Sequence, residues 1–471
     1  MIYKNLSISK KAGLWYIICN LLQKGIAFIV LPIYVHLLSP SEYGRYTIFQ
    51  SWCNIFIIFA TLNLYCGVFT KSMVDYSNDR DRYTSCMQGL SSSITFVWYI
   101  LYLVFSEKIL KLLDFDTVTA NLMFVYFISY PALSFWMVRQ RVENKYISMV
   151  LVSVGMSLFT PAISVALLLF TNLNSAAVIY GFLISQILFG LFFYFYHFSK
   201  SQVFYVRSYW VRALKFNIPL IPHYLSLILL GQFDRVLIGK FCGEDKSGIY
   251  ALAYQLALAL QVFTSGINGA YIPWCYERLK TKKYAEIRQK SNILALILAS
   301  LVCVLILTAP DLIYIIGSNS YLEAMWVLPP IAVGVFVTFC YSFYCNVEFY
   351  YNATEYIAIA TIIGAILNIS LNYLLLPVFG YLSAAYTSLT CYLVFMLMHR
   401  FFMKKVCVKK ADGAVVYDNT FLNTCVSFLL IFMLACSLMY NYIIIRYVLL
   451  VLFVAVMFFY KNKIREVLIF K

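Results

Sequence analysis

Long apolar stretches recur along the whole chain, and they constrain the fold more than any other feature of the sequence. Hydrophobic residues make up 63% of the composition and charged residues only 12%, with a mean hydropathy of +0.81. A soluble domain is about half apolar and a quarter charged. Stretches of about 20 apolar residues match the ~30 Å hydrocarbon layer of a bilayer. Because none shows the alternating pattern of a membrane barrel strand, we expect an all-α polytopic membrane protein.

These stretches predict about fourteen transmembrane helices. They cover residues 13–36, 46–70, 86–106, 119–138, 146–170, 176–197, 216–238, 249–273, 292–316, 325–349, 356–376, 381–399, 420–439 and 443–460. The connecting segments are no longer than about 20 residues. They are too short for a soluble catalytic domain, which needs at least about 50 residues.

Lysine and arginine are unevenly distributed between alternate loops. If the N-terminus faces the cytoplasm, 28 of the 36 basic residues lie on the cytoplasmic side, seven lie on or near the other side, and Lys24 lies within a span. This bias follows the positive-inside rule and predicts that both termini are cytoplasmic. It also explains the net charge of +16 without a nucleic-acid partner. The first apolar run is too long for the core of a signal peptide, so we interpret it as a span.

The thirteen cysteines are scattered and include no C-x-x-C pair. Most of them, such as Cys53, Cys303, Cys340 and Cys391, lie inside apolar stretches, where cysteine is usually a small buried hydrophobic residue. We therefore expect neither a disulfide framework nor a metal site, and no cofactor.

Two short segments recur at nearly the same offset, which indicates an internal repeat. Residues 44–46 (Gly-Arg-Tyr) align with 248–250 (Gly-Ile-Tyr) at an offset of 204, and Ser-Ala-Ala at 175–177 aligns with 383–385 at an offset of 208. Each offset contains an even number of predicted spans, so the two copies have the same orientation in the membrane. Such parallel repeats suit alternating access around a central cavity.

The repeat predicts two six-helix lobes, residues 1–200 and 201–400. Residues 401–471 then supply a cytoplasmic loop and two appended helices, spans thirteen and fourteen.

Four motifs resemble the polysaccharide-transporter branch of the multidrug/oligosaccharidyl-lipid/polysaccharide exporter superfamily, and O-antigen (Wzx-type) flippases in particular. They are LPIYVHLLSPSEYGRYTIFQ (31–50), FDRVLIGKFCGEDKSGIYALAYQL (233–256), DLIYIIGSNSYLEAMWVLPPIAVG (311–334) and GAILNISLNYLLLPVFGYLSAAYTSL (364–389). The chain departs from the family pattern at Ser383, where a glycine is commoner.

The resemblance implies a flippase of the bacterial inner membrane. Its substrate would be a polyprenyl-diphosphate-linked oligosaccharide, turned from the cytoplasmic to the periplasmic leaflet. The implied partners are membrane lipid, an O-antigen polymerase and a chain-length regulator. A doubly anionic headgroup cannot cross hydrocarbon unaided, so such a carrier needs a wet and partly cationic cavity.

Lys24 is the deepest charge in the sequence, near the middle of the span 13–36. A lysine there costs about 2.5–3.5 kcal/mol on insertion scales, and charges at the midplane are functional by default. Asn20 and Gln23 lie four and one residues before it, so helical geometry predicts one polar face. We expect this face to bind the anionic headgroup; the alternative is a lysine that snorkels or is paired within the bundle.

Asp234 and Arg235 lie near the periplasmic end of the span 216–238. On a helix their side chains point about 100° apart, so the two charges need not pair. We expect Asp234 to serve ion coupling, as the partner of a cation or as a proton carrier, and Arg235 to bind substrate. The alternative for Arg235 is snorkelling to lipid headgroups. His223 lies eleven residues before Asp234 on nearly the same helix face, which makes it a candidate proton relay or a buried structural histidine.

Three further polar features have weaker signals. Arg45 is a candidate guide for anionic headgroups or an ordinary interfacial residue, and Glu348 is a candidate ion-coupling residue near the cytoplasmic interface. Asn368 and Asn372, one helical turn apart, are expected to bond between helices.

Prolines 32, 219 and 222 lie in spans one and seven, which correspond in the two lobes. They predict either bends that take part in alternating access or static kinks.

Two other functions fit the composition. An ion-coupled drug or metabolite antiporter on a similar fold would favour acidic groups at the midplane, against which Lys24 counts. An O-antigen polymerase or a polyprenyl glycosyltransferase is equally apolar, but polymerases usually carry a large periplasmic loop that this chain lacks.

Overall fold

The computed structural model describes residues 8–459, and within them the secondary structure is helical throughout. The α-helices are α1 (Ile8–Leu37), α2 (Pro40–Thr61), α3 (Val68–Asp75), α4 (Arg80–Val104), α5 (Ser106–Leu113), α6 (Thr117–Val142), α7 (Tyr146–Phe170), α8 (Ser175–Lys200), α9 (Arg207–Asn217), α10 (Ile221–Cys242), α11 (Glu244–Lys280), α12 (Tyr284–Gly317), α13 (Ala324–Tyr350), α14 (Thr354–Phe379), α15 (Leu382–Lys410), α16 (Asn419–Met439) and α17 (Ile443–Phe459). Single 3₁₀ turns, Ile218–Leu220 and Asn319–Tyr321, precede α10 and α13.

Twelve stretches of the described chain are helical, long and apolar enough to cross a membrane, with α9 and α10 counted as one stretch. The two remaining predicted spans, 46–70 and 443–460, begin on α2 and α17. Span 46–70 was predicted to end too late: α2 ends at Thr61, and α3 begins only at Val68. Residue 460 lies outside the described residues. The expectation of an all-α polytopic membrane protein is confirmed.

The start of α2 was predicted six residues too late, at 46 instead of Pro40. Its N-terminus is a capping box: the Ser39 backbone N–H donates to Glu42 Oε2 at 2.8 Å, and the Glu42 N–H donates to Ser39 Oγ at 3.4 Å. Proline at the first helical position needs no N–H partner. The local capping signal therefore outweighs the polarity of the first turn.

The short helices α3, α5 and α9 were not predicted. Each has 8 to 11 residues, which is too few to span the hydrocarbon layer. In α5, SEKILKLL presents apolar and charged residues on opposite faces. This pattern is typical of a helix that lies along an interface.

The chain divides into two compact units. The first contains the residues up to Val30 together with Ile48–Ile228, and the second contains Leu31–Thr47 and the residues from Leu229 onward. The borders fall inside α1 and α10. The predicted division into lobes at residues 200 and 400 stays a prediction.

Each unit has its own core. In the first, Phe69, Tyr83 and Phe135 are fully buried, and the Phe69 and Phe135 ring centroids lie 4.5 Å apart. In the second, α13 packs against α11, α12 and α15 and is the most buried of the candidate spans.

In the second unit α2 crosses α11 through two glycines. A Cβ on Gly44 would lie 1.8 Å from the carbonyl oxygen of Glu244, and a Cβ on Gly248 would lie 2.0 Å from that of Pro40. Only glycine allows backbones to approach so closely. These are the two glycines that the repeat alignment matched, and they pack against each other.

Candidate functional site

Asp234 is a buried carboxylate in the second unit, with 1% of its surface exposed. Its Oδ1 accepts a hydrogen bond from Asn372 Nδ2 at 2.7 Å. Its Oδ2 accepts bonds from the hydroxyls of Tyr250 at 2.8 Å and Ser388 at 2.7 Å. A buried ionised group is tolerated only where it is paired or fully hydrogen-bonded. Here the hydrogen-bond donors come from α11, α14 and α15, and they stabilise the carboxylate of Asp234 on α10.

The two asparagines extend this network between helices, as predicted. Asn372 also donates to Asn368 Oδ1 at 3.3 Å and accepts from the Thr387 hydroxyl, while Asn368 donates to Ser388 Oγ at 3.2 Å. The carboxylate, amide and hydroxyl oxygens converge in one buried cluster. Such hard oxygen donors suit alkali and alkaline-earth cations.

The structure extends α10 to Cys242, so Asp234 lies eight residues from the helix end instead of the predicted four. Asp234 therefore lies in the interior of the helix and not at its end.

Arg235 is engaged separately from Asp234. Its guanidinium lies 4.4 Å from the ring centroid of Tyr254, and Nη1 donates to the carbonyl of Gly231 at 3.2 Å. Only 7% of the residue is exposed. The two neighbouring charges thus face different partners, as the 100° separation predicted.

His223 is half-buried on α10, eleven residues before Asp234. At ~1.5 Å per residue the two lie about 16 Å apart along the helix axis. That distance is too long for direct proton transfer between them.

On α1, Lys24 and Asn20 are exposed, whereas Gln23 is half-buried. Cys19 packs against Met149 of α7, and Gln23 Nε2, one helical turn further on, donates to the Ser153 carbonyl of α7 at 3.4 Å. The predicted polar face is therefore divided. Lys24 and Asn20 are exposed, whereas the Gln23 side chain bonds to α7.

Arg45 lies in the second turn of α2, with its Nε 3.8 Å from Glu244 Oε1. Nearby on α11, Lys246 contacts Glu323 Oε2 at 2.6 Å. Hydrogen bonds from Lys246 and then Tyr381 hold the pKa of the Glu323 carboxyl below its usual range. Arg45 thus belongs to a group of ion pairs at one end of the second unit.

Glu348 is fully buried and lies two residues before the end of α13 at Tyr350. Its Oε2 lies 2.9 Å from His399 Nδ1 of α15, and the thiol of Cys345 lies 3.3 Å from the same nitrogen. Neither His399 nor Cys345 was predicted as a site residue from the sequence. The i, i+3 spacing of Cys345 and Glu348 was readable, but their partner is 51 residues further along the chain.

A broad depression of about 960 Å³ lies along α9 in the first unit. Three basic residues, Arg207, Arg212 and Lys215, contribute to its lining. Arg212 forms an ion pair with Asp75. In the sequence these charges indicate only membrane orientation, because their common position on one surface depends on the fold of α9.

Comparison with known proteins identifies the family of this chain. The model of the family described as "Polysaccharide biosynthesis protein" matches residues 9–279. The chain belongs to this polysaccharide biosynthesis protein family. A second model, MatE, matches residues 219–374. The recognition from the four sequence motifs is therefore confirmed.

One curated relative of the chain is "Lsg locus putative protein 1" of Haemophilus influenzae, 28% identical over 174 residues. The match covers 36% of this chain, and the chain spans only 41% of the relative's length.

Two solved structures share the fold. "Lipid II flippase MurJ, inward closed conformation" is 16% identical with a TM-score of 0.67, covering 96% of this chain and 99% of the other. An inward-facing multidrug resistance MATE family transporter of the MOP superfamily is 14% identical with a TM-score of 0.56, covering 82% and 96%. At these identities the likeness shows the fold alone.

Proposed function

We propose that this protein is a flippase for polyprenyl-diphosphate-linked oligosaccharide repeat units of O-antigen or a related surface polysaccharide. It would move them from the cytoplasmic to the periplasmic leaflet of the bacterial inner membrane by alternating access. The observation that carries the proposal is the match to the polysaccharide biosynthesis family over more than half of the chain. An O-antigen polymerase and a chain-length regulator are the protein partners that this role calls for.

Lys24 and Asn20 are the proposed contacts for the diphosphate. Both side chains are exposed on a helix of membrane-spanning length and composition. An ammonium group attracts phosphate oxygens strongly in a medium of low dielectric constant. An amide one helical turn away can donate a further hydrogen bond. Arg45 and Arg235 are further proposed substrate contacts; in the second unit Arg45 pairs with Glu244, and Arg235 packs on the ring of Tyr254.

Asp234 is the proposed coupling residue. A cation that enters the cluster would take carboxylate and amide oxygens as ligands and replace the hydrogen bonds from Tyr250, Asn372 and Ser388. Because those donors come from three helices, occupation and release of the site would change the packing of α10 against α11, α14 and α15. That is the kind of differential contact through which a bound ion biases a conformational equilibrium.

The flippase role is tested by deleting the gene and following the lipid-linked repeat unit. We expect the unit to accumulate where a membrane-impermeant oxidant of sugars, added to spheroplasts, cannot reach it. Wild-type protein should restore access and surface polysaccharide. Normal access in the deletion strain would overturn the proposal.

The role of Lys24 is tested in the same strain with Lys24→Ala, Lys24→Arg and the control Lys11→Ala, which changes a lysine at the start of the same helix. Losing one charge-assisted bond costs about 1.5–3 kcal/mol, which corresponds to at least a tenfold loss of transport. We expect that loss in Lys24→Ala only. Equal transport by all three variants at equal membrane levels would refute the headgroup contact.

An ion-coupled drug antiporter is the second candidate, and the MatE match over residues 219–374 favours it. It predicts that the deletion strain becomes sensitive to cationic drugs while its surface polysaccharide stays unchanged. The spheroplast experiment therefore separates the two functions, since an antiporter leaves the lipid-linked sugars untouched.

A further inference from the structure

We propose that Cys345, Glu348 and His399 form a binding site for a borderline-soft divalent transition metal, with zinc as the best fit. The site lies in the second unit, where α13 packs against α15. It is separate from the Asp234 cluster and does not depend on the flippase proposal.

The three side chains offer donor atoms at the spacing that a small metal ion needs. One donor from each of Cys345, Glu348 and His399 lies within 4.8 Å of the others. The Cys345 sulfur is 3.3 Å from Nδ1 and 3.5 Å from Nε2 of His399, and Glu348 Oε2 is 2.9 Å from Nδ1. Tetrahedral zinc with bonds of about 2.0 Å to nitrogen and oxygen and 2.3 Å to sulfur separates such donors by about 3.3–3.5 Å. Widening the distance between Glu348 Oε2 and His399 Nδ1 from 2.9 Å to about 3.3 Å would bring this pair of donors to the spacing of tetrahedral zinc.

One atom of the group points to a ligand beyond the protein. Glu348 is fully buried, and its Oε1 has no hydrogen-bond partner among the described residues. Leaving a buried carboxylate oxygen unsatisfied costs free energy, about 1–3 kcal/mol for a polar group and more for a charged one. A metal ion next to the carboxylate compensates both oxygens.

The donor types select the metal. A thiolate and an imidazole are soft and borderline ligands, which disfavour sodium, magnesium and calcium and favour zinc and its neighbours. One thiolate, one carboxylate and one neutral imidazole carry two negative charges, which a divalent ion neutralises. No net charge is then left in the buried site.

The surroundings hold the imidazole in place. The His399 ring stacks on Tyr341 at a centroid distance of 5.5 Å, and Phe395 packs edge-on at 5.0 Å. Cys345 is 7% exposed, whereas Glu348 and His399 are fully buried. A bound metal would tie the C-terminal turns of α13 to the middle of α15.

The test uses full-length protein purified in detergent, freed of its affinity tag, stripped with a chelator and titrated with Co²⁺. A thiolate ligand gives cobalt a charge-transfer absorption band in the near ultraviolet. We expect wild type to bind one equivalent with this band and zinc to displace it. Cys345→Ser and His399→Gln should weaken binding more than ~100-fold, because even changes around a metal's ligands cost 10–100-fold. The matched control is Cys340→Ser, a buried cysteine five residues earlier on α13.

A second measurement guards against variants that fold poorly. Zinc should raise the thermal unfolding midpoint of wild type and Cys340→Ser, because a ligand that binds only the folded state stabilises it. Glu348→Gln keeps the shape of the side chain and should lose the zinc-dependent shift. The proposal is overturned if wild type shows no thiolate–cobalt band, if the band persists in Cys345→Ser, or if zinc shifts Glu348→Gln as much as wild type.

Discussion

The crossing of α2 and α11 allows a sharp prediction, because two of the three glycines in α11 lie in opposite surroundings. At Gly248 a Cβ would lie 2.0 Å from the backbone oxygen of Pro40, whereas at Gly266 nothing lies within 4 Å of it. Both are interior residues of the same helix. Gly248→Ala and Gly266→Ala therefore add the same methyl group, the first against the backbone of another helix and the second where no atom is in contact.

The magnitudes follow from two opposing effects. Replacing glycine with alanine in a helix interior gains about 0.8–1.0 kcal/mol from propensity. At Gly248 the obstacle is backbone, and the helices must separate by about 1 Å to bring a 2.0 Å contact to the 3.0 Å limit. Overpacking of this kind costs about 1–3 kcal/mol or more. We expect Gly266→Ala to stabilise the protein by up to about 1 kcal/mol, and Gly248→Ala to be about 1–3 kcal/mol less stable than Gly266→Ala.

The assay is the thermal unfolding midpoint of purified protein in detergent, compared at one heating rate. Gly44→Ala, the other half of the crossing, should behave like Gly248→Ala because its Cβ would lie 1.8 Å from the Glu244 carbonyl oxygen. Equal midpoints for Gly248→Ala and Gly266→Ala would show that the crossing is not tight and would refute the reasoning.

Three further changes have calculable outcomes. Asp234→Ala leaves three buried donors without an acceptor and should lower the free energy of unfolding by about 3–9 kcal/mol. Asp234→Asn should lower it by only about 1–3 kcal/mol, because the neighbouring hydroxyls can rotate and accept bonds from the new amide. The thermal unfolding midpoints of both variants check this. Tyr321→Phe removes one bond from its hydroxyl to a backbone carbonyl and should cost about 1 kcal/mol in the same assay. Burial raises the pKa of Glu143, but bonds from Lys145 and Arg139 outweigh it and lower the pKa below its usual range. Ionised Glu143 therefore stabilises the fold above its unfolded pKa of about 4.3, and this contribution is lost as pH falls through the lower folded pKa. The midpoint difference between wild type and Glu143→Gln should be largest near neutral pH and vanish in acid; a constant difference would contradict it.

The helices were predictable because hydrophobic length is a strong signal in a membrane protein. Span 146–170 coincides with α7, and the ends of α14 and α16 fall within three residues of the prediction. The errors occur where local chemistry outweighs hydropathy. Polar first turns concealed the beginnings of α2 and α11, although Ser39 and Glu42 formed a readable capping box. Helices α12 and α15 extend past the apolar stretch into charged sequence.

The candidate sites were only partly predictable, because burial and pairing depend on distant residues. The sequence singled out Asp234, and Asn368 and Asn372 as residues that bond between helices. It offered no means to see that these residues meet. Tyr250 and Ser388 looked like ordinary helix residues, and His399 was passed over because its partner Glu348 lies on another helix. Separation along the chain, not residue type, set this limit.

The hydrogen bonds around Asp234 also have a consequence for how the chain is made. The donors follow the acid by 16, 138 and 154 residues, at Tyr250, Asn372 and Ser388. When α10 leaves the ribosome, two of its three compensating groups have not been synthesised. An aspartate within a span costs about 2.5–3.5 kcal/mol on insertion. We therefore expect α10 to insert into the bilayer less stably than the other spans at first. Its membrane position becomes stable only after α14 and α15 have been synthesised and supply their hydrogen bonds.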